Sequence, residues 1–346
     1  MVPETEYGQQ AMSGHVISSI TLRGRNSYNG TTACSPHAVD VQEKMTSCDT
    51  FQEDDPSLPV IEPQRPRALL GAGVTSHVEA IDENTALKKA PLWDNTYMDN
   101  SALRDIQTER LIYQRLGHHP RICKYIRPIH RGMVLERLSD SLRKRLVLTY
   151  QKAGEVPSLE LALRWSIQAA EGIAYIHSKG VLQGDIGCYN MLLGDEDNLK
   201  LCDFAGASID GSPTTVIHGT RSQLWVESEI PSNDNAPPTI ACELFALGSA
   251  IYEIWTTRQP YEELEDNEVE KRYKQKQFPT IDLPVSEIIY KCWLEEYTAA
   301  DEVVAELQQL QNNATQNSHE KTPPNLKTEP ESDSPLTHMY QYRCTS

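Results

Sequence analysis

Residues 181–206 read V-L-Q-G-D-I-G-C-Y-N-M-L-L-G-D-E-D-N-L-K-L-C-D-F-A-G, and the fold follows from how this stretch pairs with itself. Two short apolar runs, Met191 to Leu193 and Leu199 to Cys202, flank the polar turn Gly194-Asp195-Glu196-Asp197-Asn198. That pattern predicts a β-hairpin. If Leu193 pairs with Lys200, Asn190 falls opposite Asp203, and an amide oxygen meets a carboxylate at the open end of the hairpin. Hard oxygen donors of this kind suit a Mg²⁺ ion that is also held by substrate phosphates. Asp185 lies five residues before Asn190, close enough to serve the same site as a proton acceptor.

Outward from this stretch the chain divides by composition. It has 346 residues, 39% of them apolar, with five Trp and fifteen Tyr, enough for a sizeable core. The net charge of -17 argues against nucleic acid or an anionic membrane surface as a partner, because an acidic surface gains little from counterion release and is repelled by like charge. The eight cysteines form no C-x-x-C pair, and Cys34 with nearby His37 has no second pair at ligand spacing. A disulfide framework and a zinc site are therefore not expected, and a reducing compartment, cytoplasmic or nuclear, is. No signal peptide is visible at the N-terminus, and no run reaches the ~20 apolar residues of a membrane span. Residues 1–63 and 314–346 are polar, poor in periodic apolar positions, and read as disordered tails. Thr322-Pro323 and Ser334-Pro335 in the second tail offer phosphorylation sites or are plain solvated tail.

Between the tails, residues 66–90 read as strand, turn, strand; 99–117 as a helix; and 121–137 as two strands joined near His130-Arg131-Gly132. In Thr85-Ala86-Leu87-Lys88-Lys89-Ala90, Ala86, Lys88 and Ala90 share one face, so two small side chains flank one ammonium group. Glu109 sits in the apolar stripe of Ile106, Ile112 and Leu116. A carboxylate among core-facing positions needs a partner, and Lys88 is the candidate. Farther on, helical periodicity dominates. Leu159, Leu163, Ile167, Ala170 and Ala174 mark one face of a helix, and Leu244 to Trp255 is apolar nearly all round, as an interior helix is.

The order Asp-x4-Asn, hairpin, Asp-Phe resembles the catalytic loop and metal-binding motif of eukaryotic protein kinases. Leu70-Gly71-Ala72-Gly73-Val74-Thr75-Ser76-His77-Val78 resembles their glycine-rich loop, with Ser76 at the third glycine. The Lys88 segment resembles their lysine strand, and Met133-Val134-Leu135-Glu136-Arg137-Leu138 resembles the strand entering their hinge. The resemblance implies an α+β, bilobal kinase fold over residues 64–313, with a small β-rich lobe (64–138) and a larger helical lobe (139–313). It implies ATP and Mg²⁺ as cofactors and a protein substrate. Leu70, Gly71, Gly73, Ser76, Val78, Ala86 and Lys88 would then line the nucleotide site. Leu135 would be the gatekeeper, backbone groups of Glu136 and Leu138 would hold adenine, and Leu192 would pack beneath it. Lys88 and Glu109 would form the phosphate-orienting pair, Asp185 would take the proton, and Asn190 and Asp203 would hold the metal.

Several positions depart from the family pattern. Gln183-Gly184-Asp185 stands for His-Arg-Asp, and Gly187 for the lysine of Ser/Thr kinases. Without that arginine, activity is not expected to depend on phosphorylation of Thr214, Thr215 or Thr220. Asp203-Phe204-Ala205-Gly206 keeps the metal ligand but has Ala at the third position. Glu243 replaces the Asp that opens the buried helix, and Trp225-Val226-Glu227 stands at Ala-Pro-Glu without an arginine after Cys292-Trp293 to meet Glu227. The Gly219-Thr220 segment tilts the substrate toward Ser/Thr. The acids at 262–270 fit either a groove for basic peptides or a solvated helix. The apolar segment and the degenerate loop are similar to those of single-domain fungal kinases. The expected activity is phosphotransfer from MgATP to a protein hydroxyl. A pseudokinase scaffold, or a small-molecule phosphotransferase of the aminoglycoside or choline kinase type, is the alternative.

Overall fold

The computed structural model describes residues 54–62, 66–73, 75–93, 95–225 and 238–320. The expectations for residues 1–53, Val226, Glu227, Thr322 and Ser334 lie outside them. A five-stranded antiparallel sheet, in the order β1-β2-β3-β5-β4, forms the first lobe. Its strands are β1 (Leu69–Ala72), β2 (His77–Ala80), β3 (Thr85–Lys89), β4 (Tyr125–Ile129) and β5 (Gly132–Glu136). Residues 66–90 thus hold three strands, not two. The additional turn is made by Asp82, whose carboxylate accepts from the N–H groups of Asn84 (2.8 Å) and Thr85 (2.7 Å).

Helix α1 (Thr96–Leu116) packs on this sheet. It begins three residues before the predicted start because Asn95 caps it, accepting from the N–H groups of Tyr97 and Met98. Residues 54–62 also belong to this lobe, which corrects the tail boundary at residue 63. Ile61 packs against the cluster of Leu87, Ile129 and Val134. Asp54 is buried, and its carboxylate accepts from Arg110 of α1 at 2.7 and 3.2 Å and from the N–H of Arg131 in the β4–β5 turn. One acidic residue in a polar stretch carries no periodicity, so pattern alone does not find this strap.

The second lobe is helical. A short helix α2 (Leu142–Arg145) leads to α3 (Leu159–Ser178). Four two- or three-residue strands follow: β6 (Val181–Leu182), β7 (Met191–Leu193), β8 (Leu199–Leu201) and β9 (Ser208–Ile209). Helices α4 (Ile240–Thr256), α5 (Asp266–Lys274), α6 (Ser286–Trp293) and α7 (Ala300–Glu320) complete it. Helix α7 runs past residue 313, the predicted end of the domain. Helix α3 lies between α4, α7 and β8, so it is buried on more than the one predicted face. Leu163, Ile167 and Ala170 are buried as the stripe requires; Leu159, in the first turn, is exposed. Helix α4 buries Leu244 to Ile251 without interruption. Two indole N–H groups beside it are paired: Trp293 Nε1 donates to Ser249 Oγ at 3.0 Å, and Trp255 Nε1 donates to Ser166 Oγ at 3.1 Å. Among the described residues, no helix is long and apolar enough to cross a membrane.

The hairpin of residues 191–201 forms, with its register one residue away from the expected one. Leu193 pairs with Leu199 and Met191 with Leu201. The turn closes through Gly194 N–H to the Asn198 carbonyl at 2.8 Å, with Glu196 and Asp197 left-handed (φ 56° and 57°). Two residues in that rare region shorten the loop by one position. Asn190 therefore faces Cys202, whose N–H donates to the Asn190 carbonyl at 3.0 Å, and Asp203 lies one residue beyond.

Candidate active site

The two lobes enclose a cavity of about 510 Å³. Leu70, Gly71, Val78, Ala86, Lys88, Glu136, Leu138 and Leu192 all line it, as expected for them. Gly73 and Ser76 do not; they form the tip of the β1–β2 hairpin, closed by Gly73 N–H to the Ser76 carbonyl at 2.8 Å. Glu136 enters with its carboxylate engaged by Lys200 (2.7 Å) and its N–H donated to the Lys124 carbonyl. Leu135, the gatekeeper position, is buried beside it and lines the same cavity.

Lys88 is the centre of the charge arrangement. Its ammonium lies 2.7 Å from Glu109 Oε2 and 2.8 Å from Asp203 Oδ1, joining β3, α1 and the segment after β8. Burial works against the ammonium, but the Asp203 and Glu109 carboxylates more than offset it and raise the Lys88 pKa, so the group stays charged. Glu109 is fully buried, and burial raises its pKa. Its Oε1 also accepts from the Phe204 N–H at 3.1 Å. Phe204 is buried edge-on to Tyr113 of α1, with ring centroids 5.2 Å apart, so α1 and the Asp203 segment are fastened together. The predicted Lys88–Glu109 pair is present, and Lys89 turns away toward Glu79 (3.7 Å).

Asp185 and Asn190 lie on the loop between β6 and β7. Asn190 Nδ2 donates to the Asp185 carbonyl (2.9 Å) and carboxylate (3.1 Å), which leaves the amide oxygen to face other partners. Burial raises the Asp185 pKa, against hydrogen bonding from Tyr189 and the nearby His218. Asp203 keeps a half-exposed carboxylate, its side chain 45% accessible, with Lys88 on one oxygen. Burial raises the Asp203 pKa, but the charge and hydrogen bond of the Lys88 ammonium outweigh it, for a net fall. The Asn190 amide oxygen and the second Asp203 oxygen are hard donors at one cavity wall. Two such donors fit a Mg²⁺ ion completed by phosphate oxygens and water.

The loop is hung on the interior helix. Glu243, fully buried at the start of α4, accepts from the N–H groups of Gln183 (3.0 Å) and Gly184 (2.8 Å). His177 and His218 approach the same carboxylate at 3.3 Å each. The added methylene relative to Asp is thus accommodated without losing the backbone bonds. Gln183, a position the sequence leaves without a role, bridges to the carbonyls of Cys202 (2.8 Å) and Asp203 (3.2 Å) through its amide. At Gly184, where the arginine is missing, the segment 214–216 packs close to the backbone. A Cβ there would meet Thr214 Oγ1 at 3.0 Å and Val216 Cγ2 at 3.2 Å. Thr215 donates to Asp105 of α1 at 3.2 Å. Four of the six acids at 262–270 are met by the chain's own bases: Glu262 by Arg258 (2.9 Å), Asp266 by Arg221 (2.6 Å), Glu268 by Arg272 (3.1 Å) and Glu270 by Lys274 (2.7 Å).

A lysine–glutamate pair, an Asp-x4-Asn loop and an Asp-Phe segment around one interlobe cavity define a protein kinase site. The model of the protein kinase domain matches residues 66–323. The chain belongs to that family. Mitogen-activated protein kinase kinase kinase 9 of Arabidopsis thaliana is 26% identical over 242 residues, 66% of this chain and 30% of its own length. Mitogen-activated protein kinase kinase kinase 3 of the same plant is 28% identical over 209 residues, 57% of this chain and 35% of its own. A probable serine/threonine-protein kinase of Dictyostelium discoideum is 23% identical over 219 residues, 58% of this chain and 22% of its own. The chain therefore spans about a fifth to a third of the length of these relatives.

Proposed function

We propose that the protein transfers the γ-phosphoryl group of MgATP to a protein hydroxyl, that of Ser or Thr. The observation that carries this is the Lys88 ammonium held between Glu109 and Asp203 on the wall of the cavity. Holding a charged lysine inside a cavity with a carboxylate on each side prepares it for polyphosphate, since ordering the cation beforehand removes reorganisation at the reacting step. Bound Mg²⁺ would neutralise phosphate charge, held by Asn190 and Asp203. Asp185 accepts the proton of the incoming hydroxyl as its oxygen bonds to phosphorus and the bond to the leaving diphosphate oxygen breaks. Positioning and charge neutralisation supply most of the acceleration in such a site.

The relatives' names support Ser/Thr as the acceptor, and the protein kinase match favours a protein over an aminoglycoside or choline substrate. The fungal likeness of residues 244–254 and a cytoplasmic or nuclear location belong to the same proposal and rest on residue pattern alone. The pseudokinase reading draws on Gly184 and Gly187, where side chains expected in the loop are absent. Purified protein with γ-labelled MgATP separates the two. Incorporation into protein that is lost in Asp185→Asn supports the transferase; nucleotide binding with no turnover in wild type leaves only the scaffold.

A further inference from the structure

Both oxygens of the Asp185 carboxylate are taken by residues of its own loop. Asn190 Nδ2 donates to Oδ2 at 3.1 Å, and the Tyr189 hydroxyl donates to Oδ1. The Tyr189 ring lies directly over Gly187. A Cβ built on that glycine would stand 2.4 Å from ring atom Cε1 and 2.9 Å from Cδ1 and Cζ. No side chain larger than hydrogen fits at 187 while the ring stays in place. On the ring itself, the Arg143 guanidinium sits 5.0 Å from the centroid. Arg143 is in turn held by both oxygens of Glu253 on α4, at 2.7 and 2.6 Å. A continuous set of contacts thus runs from the interior helix through α2 to the carboxylate of Asp185.

An ordinary surface tyrosine packed on a turn explains none of these features together. A phenol that donates to a carboxylate makes a short, charge-assisted bond. We propose that Tyr189 is the positioning residue for Asp185, its ring filling the space over Gly187 and its hydroxyl fixing the orientation of the carboxylate beside Asn190. The role rests on the phosphotransfer reading given above. It also accounts for the missing lysine: orientation of Asp185 is supplied by a neutral donor four residues along the chain, with Arg143 set behind the ring.

The test pairs Tyr189→Phe with Gly187→Ala. Phenylalanine keeps the ring and removes the hydroxyl; alanine leaves the hydroxyl but pushes the ring off its seat. In both, kcat with a peptide acceptor is expected to fall about 10- to 100-fold, the scale set by misplacing a reacting group by roughly an ångström. The Kd for a fluorescent ATP analogue is expected to stay within twofold of wild type. A second readout needs no turnover. In protein labelled with [¹³Cζ]tyrosine, Asp185→Asn is expected to move the resonance assigned to Tyr189 by its loss in Tyr189→Phe. A Tyr189→Phe enzyme with kcat equal to or above wild type overturns the positioning role, as does a Tyr189 resonance indifferent to Asp185→Asn. Wild type that binds nucleotide without turnover sinks the phosphotransfer reading instead, and the positioning role falls with it.

Discussion

Replacing Glu243 with Gln tests how the loop that bears Asp185 and Asn190 is held. The carboxylate is fully buried, and each oxygen accepts one backbone N–H, from Gln183 at 3.0 Å and Gly184 at 2.8 Å. An amide has one acceptor and one donor end, so one of those N–H groups must face an NH₂. A buried donor left unpaired costs about 1–3 kcal/mol, more where the lost bond was charge-assisted. A second route gives a similar figure. Burial pushes the Glu243 pKa up, but hydrogen bonds and charge from His177 and His218 prevail and bring it from 4.5 to about 2. That fall corresponds to about 3 kcal/mol of stability at neutral pH. The folded-state pKa is depressed, so this stability is fully present above pH 4.5 and is lost as the pH falls toward 2. For a domain of this size, 3 kcal/mol lowers Tm by about 6–12 °C. Glu243→Gln is therefore expected to melt about that much below wild type at pH 7. In urea titrations the gap between the two should narrow by roughly 1 kcal/mol by pH 4. A variant that melts within a degree or two of wild type at pH 7, or a gap that widens on acidification, refutes the reasoning.

Other outcomes follow from the same geometry. Lys88→Met leaves Glu109 buried without its cation, and removing one partner of a buried pair costs about 3–5 kcal/mol. The variant is expected to remain folded by circular dichroism, melt lower and lose turnover; equal turnover contradicts the lysine assignment. Asp54→Ala strips Arg110 of its bidentate partner and frees the strap from α1, and should destabilise the protein by about 3 kcal/mol in urea unfolding. Unchanged stability would mean the strap contributes nothing to the lobe.

The hairpin, the Lys88–Glu109 pair and the interior helix α4 were legible in the sequence because each is a local pattern or a charge placed where only a partner makes it tolerable. The hairpin register was not, since it depends on Glu196 and Asp197 adopting left-handed backbone, which nothing in an Asp-Glu-Asp run announces. The strap at residues 54–62 escaped because its hold comes from one ion pair and one isoleucine, with no repeat to detect. Helix α3 showed one stripe where the structure buries more, because small residues such as Ala162, Ala169 and Gly172 pack closely without adding to an apolar pattern. Tyr189 was missed for another reason. Gly187 reads as a loss when taken alone, and only the ring over it shows that the space is filled.

The central claim is that Lys88, Asn190 and Asp203 converge on one magnesium–triphosphate complex. Isothermal calorimetry with a non-hydrolysable ATP analogue measures this directly. The account predicts saturable uptake by the wild type in Mg²⁺ that is weakened by EDTA and lost in Asp203→Ala. Folded protein that takes up no nucleotide, or that binds it equally with and without the metal, contradicts it.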